Sequence, residues 1–136
     1  LHANTGAETV TRLINPPMDV PPIMLTGLDL IIIQARLHVR GKTARKIVEV
    51  SEVAGMEGDK PRLNPIWKYN AESDQIEETG IPSKMKETIC KAAGCNPATF
   101  EQHVQQRMGI LNDLVERDIS DIGTVTQVIQ GFYSSR

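Results

Sequence analysis

Two apolar-rich, β-branched runs lie on either side of one glycine, and this arrangement limits the fold more than any other feature of the chain. Residues 30–33 read Leu-Ile-Ile-Ile. A short run without polar interruption is expected to be a strand buried on both faces. Beyond it, Ala35, Leu37 and Val39 alternate with polar residues, the two-residue period of a half-buried strand. After Arg40-Gly41-Lys42 the chain becomes apolar again at Ile47, Val48, Val50 and Val53. Two such runs around a glycine predict an antiparallel hairpin. Gly41 would form its tip, and Arg40 and Lys42 would stand in solvent.

The tip also reads Gly41-Lys42-Thr43, the ending of a phosphate-binding loop. That loop needs a first glycine five positions earlier, so that the backbone can bend around the phosphates, and it must run from a strand into a helix. Arg36 occupies the glycine position, and strand-like residues flank the tripeptide on both sides. Both required contexts fail, so the tripeptide is read as a turn and not as a nucleotide cradle.

The flanks are helical in pattern. Thr5 followed by Glu8 has the spacing of a capping box. Val10, Leu13 and Ile14 then recur at helical intervals until Pro16-Pro17 stops them. Pro21 or Pro22 opens a second helix with Ile23, Met24 and Leu28 as its apolar positions. Met56 to Pro65 reads as a linker by composition, and "IWKYN" and "QIEE" as a second, smaller hairpin. Beyond Gly80 three helices are expected. The first carries Met85, Ile89, Ala92 and Ala93 on one face and stops at Gly94. The second starts at Asn96-Pro97 and carries Phe100, Val104, Met108, Leu111, Leu114 and Val115. The third starts at Ser120 or Asp121, with Ile122, Val125, Val128, Ile129, Phe132 and Tyr133 facing in. The fold class is therefore α+β: antiparallel hairpins with flanking helices and an all-helical C-terminal tail.

The chain has 136 residues, enough for one domain or pieces of two. Fifteen basic against seventeen acidic residues give a formal charge of −2, which does not favour nucleic acid as a partner. No apolar run approaches the ~18 residues of a membrane span. The start, "LHANTGAETV", lacks an initiator methionine, a basic region and an apolar region, and is expected to come from the interior of a longer chain.

Few residues have the company that chemistry requires. Cys90 and Cys95 have no second Cys or His pair at zinc-finger spacing, so no metal site is expected and a reduced pair is the reading. His38 lies on the polar side of its strand, and His103 lies between glutamines on a helix, so both are read as surface residues. Glu49 and Glu52 would sit on opposite faces of one strand, not as a paired acid and base. His2 differs, because it leads into Asn4-Thr5 at a helix start, where backbone amides and the helix dipole favour anions.

These residues together carry a resemblance. "LHAN" with "ETVTRLINPPMDVP" and "LDLIIIQARLHVRGKTARKIVEVSEVAG" resembles the C-terminal half of type II/type IV secretion ATPases, the archaeal pilus- and archaellum-assembly members above all. That family has a T-x-H-A histidine box, matched by His2-Ala3, and an R-L…P-M segment, matched by Arg12, Leu13, Pro17 and Met18. Its hairpin ends in E-V-x-G, matched by Glu52, Val53, Ala54 and Gly55. Pro65-Ile66-Trp67 with Tyr69, Arg107 with Leu111, and Phe132-Tyr133 fit the later segments of the archaeal branch. The resemblance covers nearly the whole chain and is most specific in the first 55 residues.

The resemblance implies a longer parent with a RecA-like α/β core. Such a parent is a hexamer that uses ATP and Mg2+ to drive filament assembly or protein export. It would be cytoplasmic, peripheral at the inner face of a membrane, and would work against a membrane platform protein. Residues 1–58 would complete the core and 59–136 would form a C-terminal extension. The phosphate loop, acidic box and magnesium aspartate would all precede Leu1, so no turnover is expected from this chain alone. His2 would sense the terminal phosphate, with Asn4 as a weaker neighbour on the nucleotide side. No role passes to Arg12, Arg45 or Arg107. In isolation, the exposed edge of the Leu30–Ile33 strand is expected to pair with another copy, giving a dimer or a swapped assembly. The alternative reading is a freestanding, non-enzymatic interaction module with a helical tail.

Overall fold

The computed structural model describes residues 1–39 and 41–134. Arg40, expected at the hairpin tip, lies outside them. The elements run α1 (Gly6–Ile14), a 3-10 helix (Pro22–Gly27), β1 (Leu30–Val39), β2 (Lys42–Glu57), β3 (Lys60–Asn70), β4 (Gln75–Glu78), α2 (Lys84–Ala93), α3 (Pro97–Glu116) and α4 (Ile122–Ser134). The four strands form one antiparallel sheet in the order β1-β2-β3-β4, so the chain is α+β.

The central hairpin is as the alternating runs require. Val39 pairs with Lys42, and Gly41 adopts φ +77 at the turn, a conformation that suits glycine because it has no Cβ. Lys42 is exposed. Gly41-Lys42-Thr43 thus joins strand to strand, and no helix follows it to cradle a phosphate.

Three expectations change. Leu30–Ile33 is not buried on both faces: Ile31 and Ile33 are buried while Ile32 is 57% exposed. Successive strand residues point to opposite faces, and only one face of β1 is covered here. Within these residues β1 is an edge strand, paired antiparallel with β2. The stretch read as a linker is mostly strand, because β2 runs to Glu57 and β3 begins at Lys60, with Met56 opposite Pro61. Polar composition there marks a hairpin turn at 58–59. In the 3-10 helix, Ile23 and Met24 are exposed and Leu25 is the core residue, since a three-residue turn presents a different side chain than an α-helical turn would.

The core lies between α1, the 3-10 helix and one face of the hairpin. Val10, Leu25, Ile31, Ile33 and Val53 are its buried members, with Leu13, Ile14, Val20, Val48 and Leu63 packed around them. At the far side of the sheet, Asp74 in the β3–β4 turn accepts from Lys46 Nζ at 2.5 Å and Tyr69 Oη at 2.7 Å, which ties that turn to β2.

The chain divides into two compact units, Leu1–Met85 and Lys86–Arg136. In the second, the expected apolar stripes stay largely uncovered. Val104, Met108, Leu111 and Val115 of α3 are 37–78% exposed, and Ile122, Ile129 and Tyr133 of α4 are 38–79% exposed. The face expected on α2 is also displaced: Ile89 is exposed and Cys90 is buried. Gly94, at φ +61, ends that helix as its position predicts.

Candidate functional site

The start of α1 gathers the residues that the sequence singled out. Thr5 is the N-cap, extended at φ −144 and ψ 161, and its Oγ1 accepts from Glu8 N at 3.0 Å. Half of the capping box is thereby formed. The other half is shifted by one residue: the Glu8 carboxylate accepts from Asn4 N at 2.8 Å and Asn4 Nδ2 at 3.1 Å. Its second oxygen accepts from Arg12 Nε at 2.8 Å and Nη2 at 2.6 Å. The Asn4 backbone donor, followed by Arg12, holds the Glu8 carboxyl below its ordinary pKa.

A second carboxylate reaches the same turn from the sheet. Glu49 Oε1 on β2 accepts from Gly6 N at 3.1 Å and from Ser51 Oγ at 2.6 Å. A Cβ on Gly6 would stand 2.6 Å from that oxygen and 3.2 Å from Leu63 Cδ1, so glycine is what allows the helix end to approach β2 this closely. Two of the donors a helix N-terminus offers to an anion, at Gly6 and Glu8, are therefore taken by protein oxygens.

Glu52, three residues along β2, does the same for another helix from the other face of the sheet. It is 2% exposed. Its carboxylate accepts from Lys84 N at 2.8 Å, Met85 N at 3.2 Å and the Ser83 hydroxyl. The opposite-face reading of Glu49 and Glu52 holds, and its consequence is that each carboxylate caps a helix: α1 from one side, the first turn of α2 from the other. Sequence reasoning missed these capping roles. The available signal was three closely spaced polar positions, Glu49, Ser51 and Glu52, inside an otherwise apolar strand.

His2 is exposed in the segment leading to Thr5, and Asn4 is exposed beside it, with its donors on Glu8. The structure thus brings His2 and Asn4 to one helix end, together with Glu8 and Glu49. It does not bring His38 there. His38 Nδ1 lies 3.1 Å from Thr43 Oγ1 across the β1–β2 turn. His103 is exposed on α3, and its carbonyl accepts from Arg107 Nη1 at 2.8 Å. The Arg107 guanidinium also lies 5.7 Å from the ring centres of Phe132 and Tyr133, a structural cation–π contact between α3 and α4. Arg45 is exposed on β2 opposite Arg36. Among the described residues, no group of three or more His, Cys, Asp or Glu could hold a metal ion, and no helix is long and apolar enough to cross a membrane.

No family model matches the chain. Three proteins of Methanocaldococcus jannaschii are similar to it, each bearing only the name of an uncharacterized protein. MJ0781 is 34% identical over 134 residues, covering 97% of this chain and 18% of that protein. MJ0900 is 28% identical over 137 residues, covering 97% of this chain and 25% of its own length. MJ1287 is 27% identical over 116 residues, covering 84% of this chain and 43% of its own length. The chain spans less than half the length of each of these relatives.

Proposed function

We propose that this chain is the C-terminal portion of a hexameric secretion or pilus-assembly ATPase, a longer protein that couples ATP hydrolysis to filament assembly or export. The observation that carries the reading is the histidine-box resemblance at His2, set where the chain enters the α1 N-terminus. The length of the relatives, two of which are at least four times as long as the matched segment, supports a longer parent. So does the archaeal origin of all three.

In this reading the ATP phosphates and Mg2+ are held mainly by segments outside these residues. The chain supplies one wall of the site. His2 donates a hydrogen bond to the terminal phosphate, and the Glu49–Gly6 contact transmits the position of the α1 end to the β1–β2 hairpin. Asn4 can contribute only if Glu8 gives up its donors. The protein is peripheral at the cytoplasmic face of a membrane, against a platform protein. The free edge of β1 supports self-association of the segment, for which light scattering should give a dimer or larger species; a monodisperse monomer would remove that part of the reading.

The test is MgATP turnover. The longer protein should hydrolyse ATP, and the 136-residue segment should not. His2→Ala in the longer protein should lower kcat at least tenfold with little change in KM, the pattern of a contact made in the transition state. A parent that neither binds nor hydrolyses ATP would overturn the proposal. The second reading, a non-enzymatic interaction module, is favoured by the exposed apolar faces of α3 and α4. An antibody to this chain separates the two: a band several times larger than 15.0 kDa in source cells fits the ATPase, and a band near 15.0 kDa fits the module.

A further inference from the structure

The end of α2 is a Schellman stop. Gly94 is left-handed, Gly94 N donates to Lys91 O at 3.4 Å, and Cys95 N donates to Cys90 O at 3.0 Å. In that motif the residue just past the glycine touches the residue five positions earlier in the last helical turn. Here both contacting residues are cysteines. The two are free thiols, one buried and one half-buried. The two positions that usually close this helix stop with apolar side chains are held here by two thiols, which can be joined covalently.

We propose that Cys90 and Cys95 form a reversible oxidation site, a dithiol that reduces a small-molecule disulfide and closes as an intramolecular disulfide across the α2 stop. Cys90 is buried and Cys95 is half-buried, which sets the order of events. Burial, with the Cys95 thiol beside it, raises the Cys90 thiol above its ordinary pKa, so Cys90 is not the first nucleophile. Cys95 loses its proton to solvent and attacks one sulfur of the small disulfide. The other sulfur leaves as a thiolate, and a mixed disulfide remains on Cys95. Cys90 then gives up its proton and attacks the Cys95 sulfur, expelling the second small thiolate. Two protein thiols are oxidised, the small disulfide is reduced to two thiols, and the protons end on those thiols.

The bond would fix the joint between two helices. Cys95 immediately precedes Asn96, whose Oδ1 accepts from Thr99 N at 2.8 Å as the N-cap of α3. Linking Cys90 to Cys95 therefore ties the last turn of α2 to the first residue before that cap.

Oxidised glutathione and mass spectrometry of the folded, reduced chain test the proposal. Trypsin cuts after Lys91, between the two cysteines. The expected product has lost two hydrogens, carries no glutathione, and yields the peptides 87–91 and 92–107 joined until dithiothreitol separates them. Cys90→Ser should stop at a single glutathione adduct on Cys95. Failure of the wild-type chain to react, or glutathione retained on both cysteines, would overturn the proposal.

Discussion

The sheet unit and the helical unit reach order by different means. In Leu1–Met85, five apolar side chains from helix and hairpin are buried together, and the buried polar groups Ser51 and Glu52 are hydrogen-bonded. In Lys86–Arg136, the buried residues among those described are Cys90 and Leu114, while Val115 and Ile122 are 78% and 79% exposed. The helical unit depends instead on local devices. Asn96 and Asp121 cap α3 and α4, Lys86 meets Glu101 at 3.2 Å and lies over the Phe100 ring, and Arg107 lies over Phe132 and Tyr133. Exposed ion pairs of this kind contribute about 0–1 kcal/mol each. The contrast teaches that amphipathic spacing states which residues could be buried, while coverage depends on what is packed against them.

The strongest way to probe that contrast is to remove the buried cap. Glu52→Ala removes the buried carboxylate that accepts from Lys84 N, Met85 N and the Ser83 hydroxyl. A hydrogen bond to a charged group is worth about 1.5–3 kcal/mol. The expected loss is about 3 kcal/mol in the urea unfolding of the sheet unit. Glu52→Gln keeps one acceptor oxygen and should lose less; equal losses would mean that the carboxylate is not acting as a cap.

Next comes a matched pair in the helical unit. Leu114 is 5% exposed and its neighbour Val115 is 78% exposed. Leu114→Ala should destabilise α3 and α4 by about 2 kcal/mol, the low end for a buried leucine. Val115→Ala should change little, within about 0.5 kcal/mol. Amide exchange along α3 and α4 measures both. Similar effects at the two positions would show that Val115 is covered in solution, and the contrast between the units would shrink accordingly.

The sheet unit was more legible in sequence than the helical one, and the reason is physical. A strand hairpin is specified locally: alternation of Ala35, Leu37 and Val39, a glycine at the turn, and β-branched residues on both sides leave few alternatives. The Thr5 cap and the Pro16 stop were legible for the same reason. Leu25 was not, because a 3-10 turn places side chains at a period different from that of an α-helix. The burial of Ile31 and Ile33 without Ile32 depends on what covers each face, which a run of like residues does not encode. At the candidate site, His2 and Asn4 were legible as residues leading into a helix N-terminus. Glu49 and Glu52 were legible only as polar interruptions of a strand, since the helix ends they cap are 43 and 32 residues away in sequence.

Gly6→Ala asks how tightly α1 is docked. The new Cβ meets the Glu49 oxygen at 2.6 Å and Leu63 Cδ1 at 3.2 Å. The Glu49 carboxylate can swing aside, but it then leaves Gly6 N and Ser51 Oγ unpaired. A cost of about 2 kcal/mol is expected, in the range for overpacking at a closed contact. Combining it with Glu49→Gln tests the mechanism: if the clash and the cap are one interaction, the two losses will not add. Additive losses would mean that the added methyl strains α1 through some other neighbour.

The smallest expected effect is a dependence on acid that both units share. Glu8 and Glu77 in the sheet unit, and Glu101 and Asp121 in the helical unit, all have carboxyl pKa values lowered on folding. The leading causes are the Asn4 backbone for Glu8, Ser73 for Glu77, Gln105 for Glu101 and Thr124 for Asp121. A group whose folded value lies below its unfolded one contributes stability that is present above the unfolded value, about 4 for a carboxyl. That contribution is lost as pH falls through the folded value. Tm should therefore be flat near neutral pH and decline as the solution is taken below about pH 4. Glu8→Gln should make the decline shallower for α1, because one of the protonating groups is gone, and added salt should reduce the share that Arg12 supplies. An unchanged slope in Glu8→Gln would mean that the Asn4–Glu8–Arg12 network does not persist in solution. The helical unit should show the same acid decline despite its thin core, since exposed hydrogen bonds, from Gln105 and Lys86 to Glu101 and from Thr124 to Asp121, and not burial, lower its carboxyls.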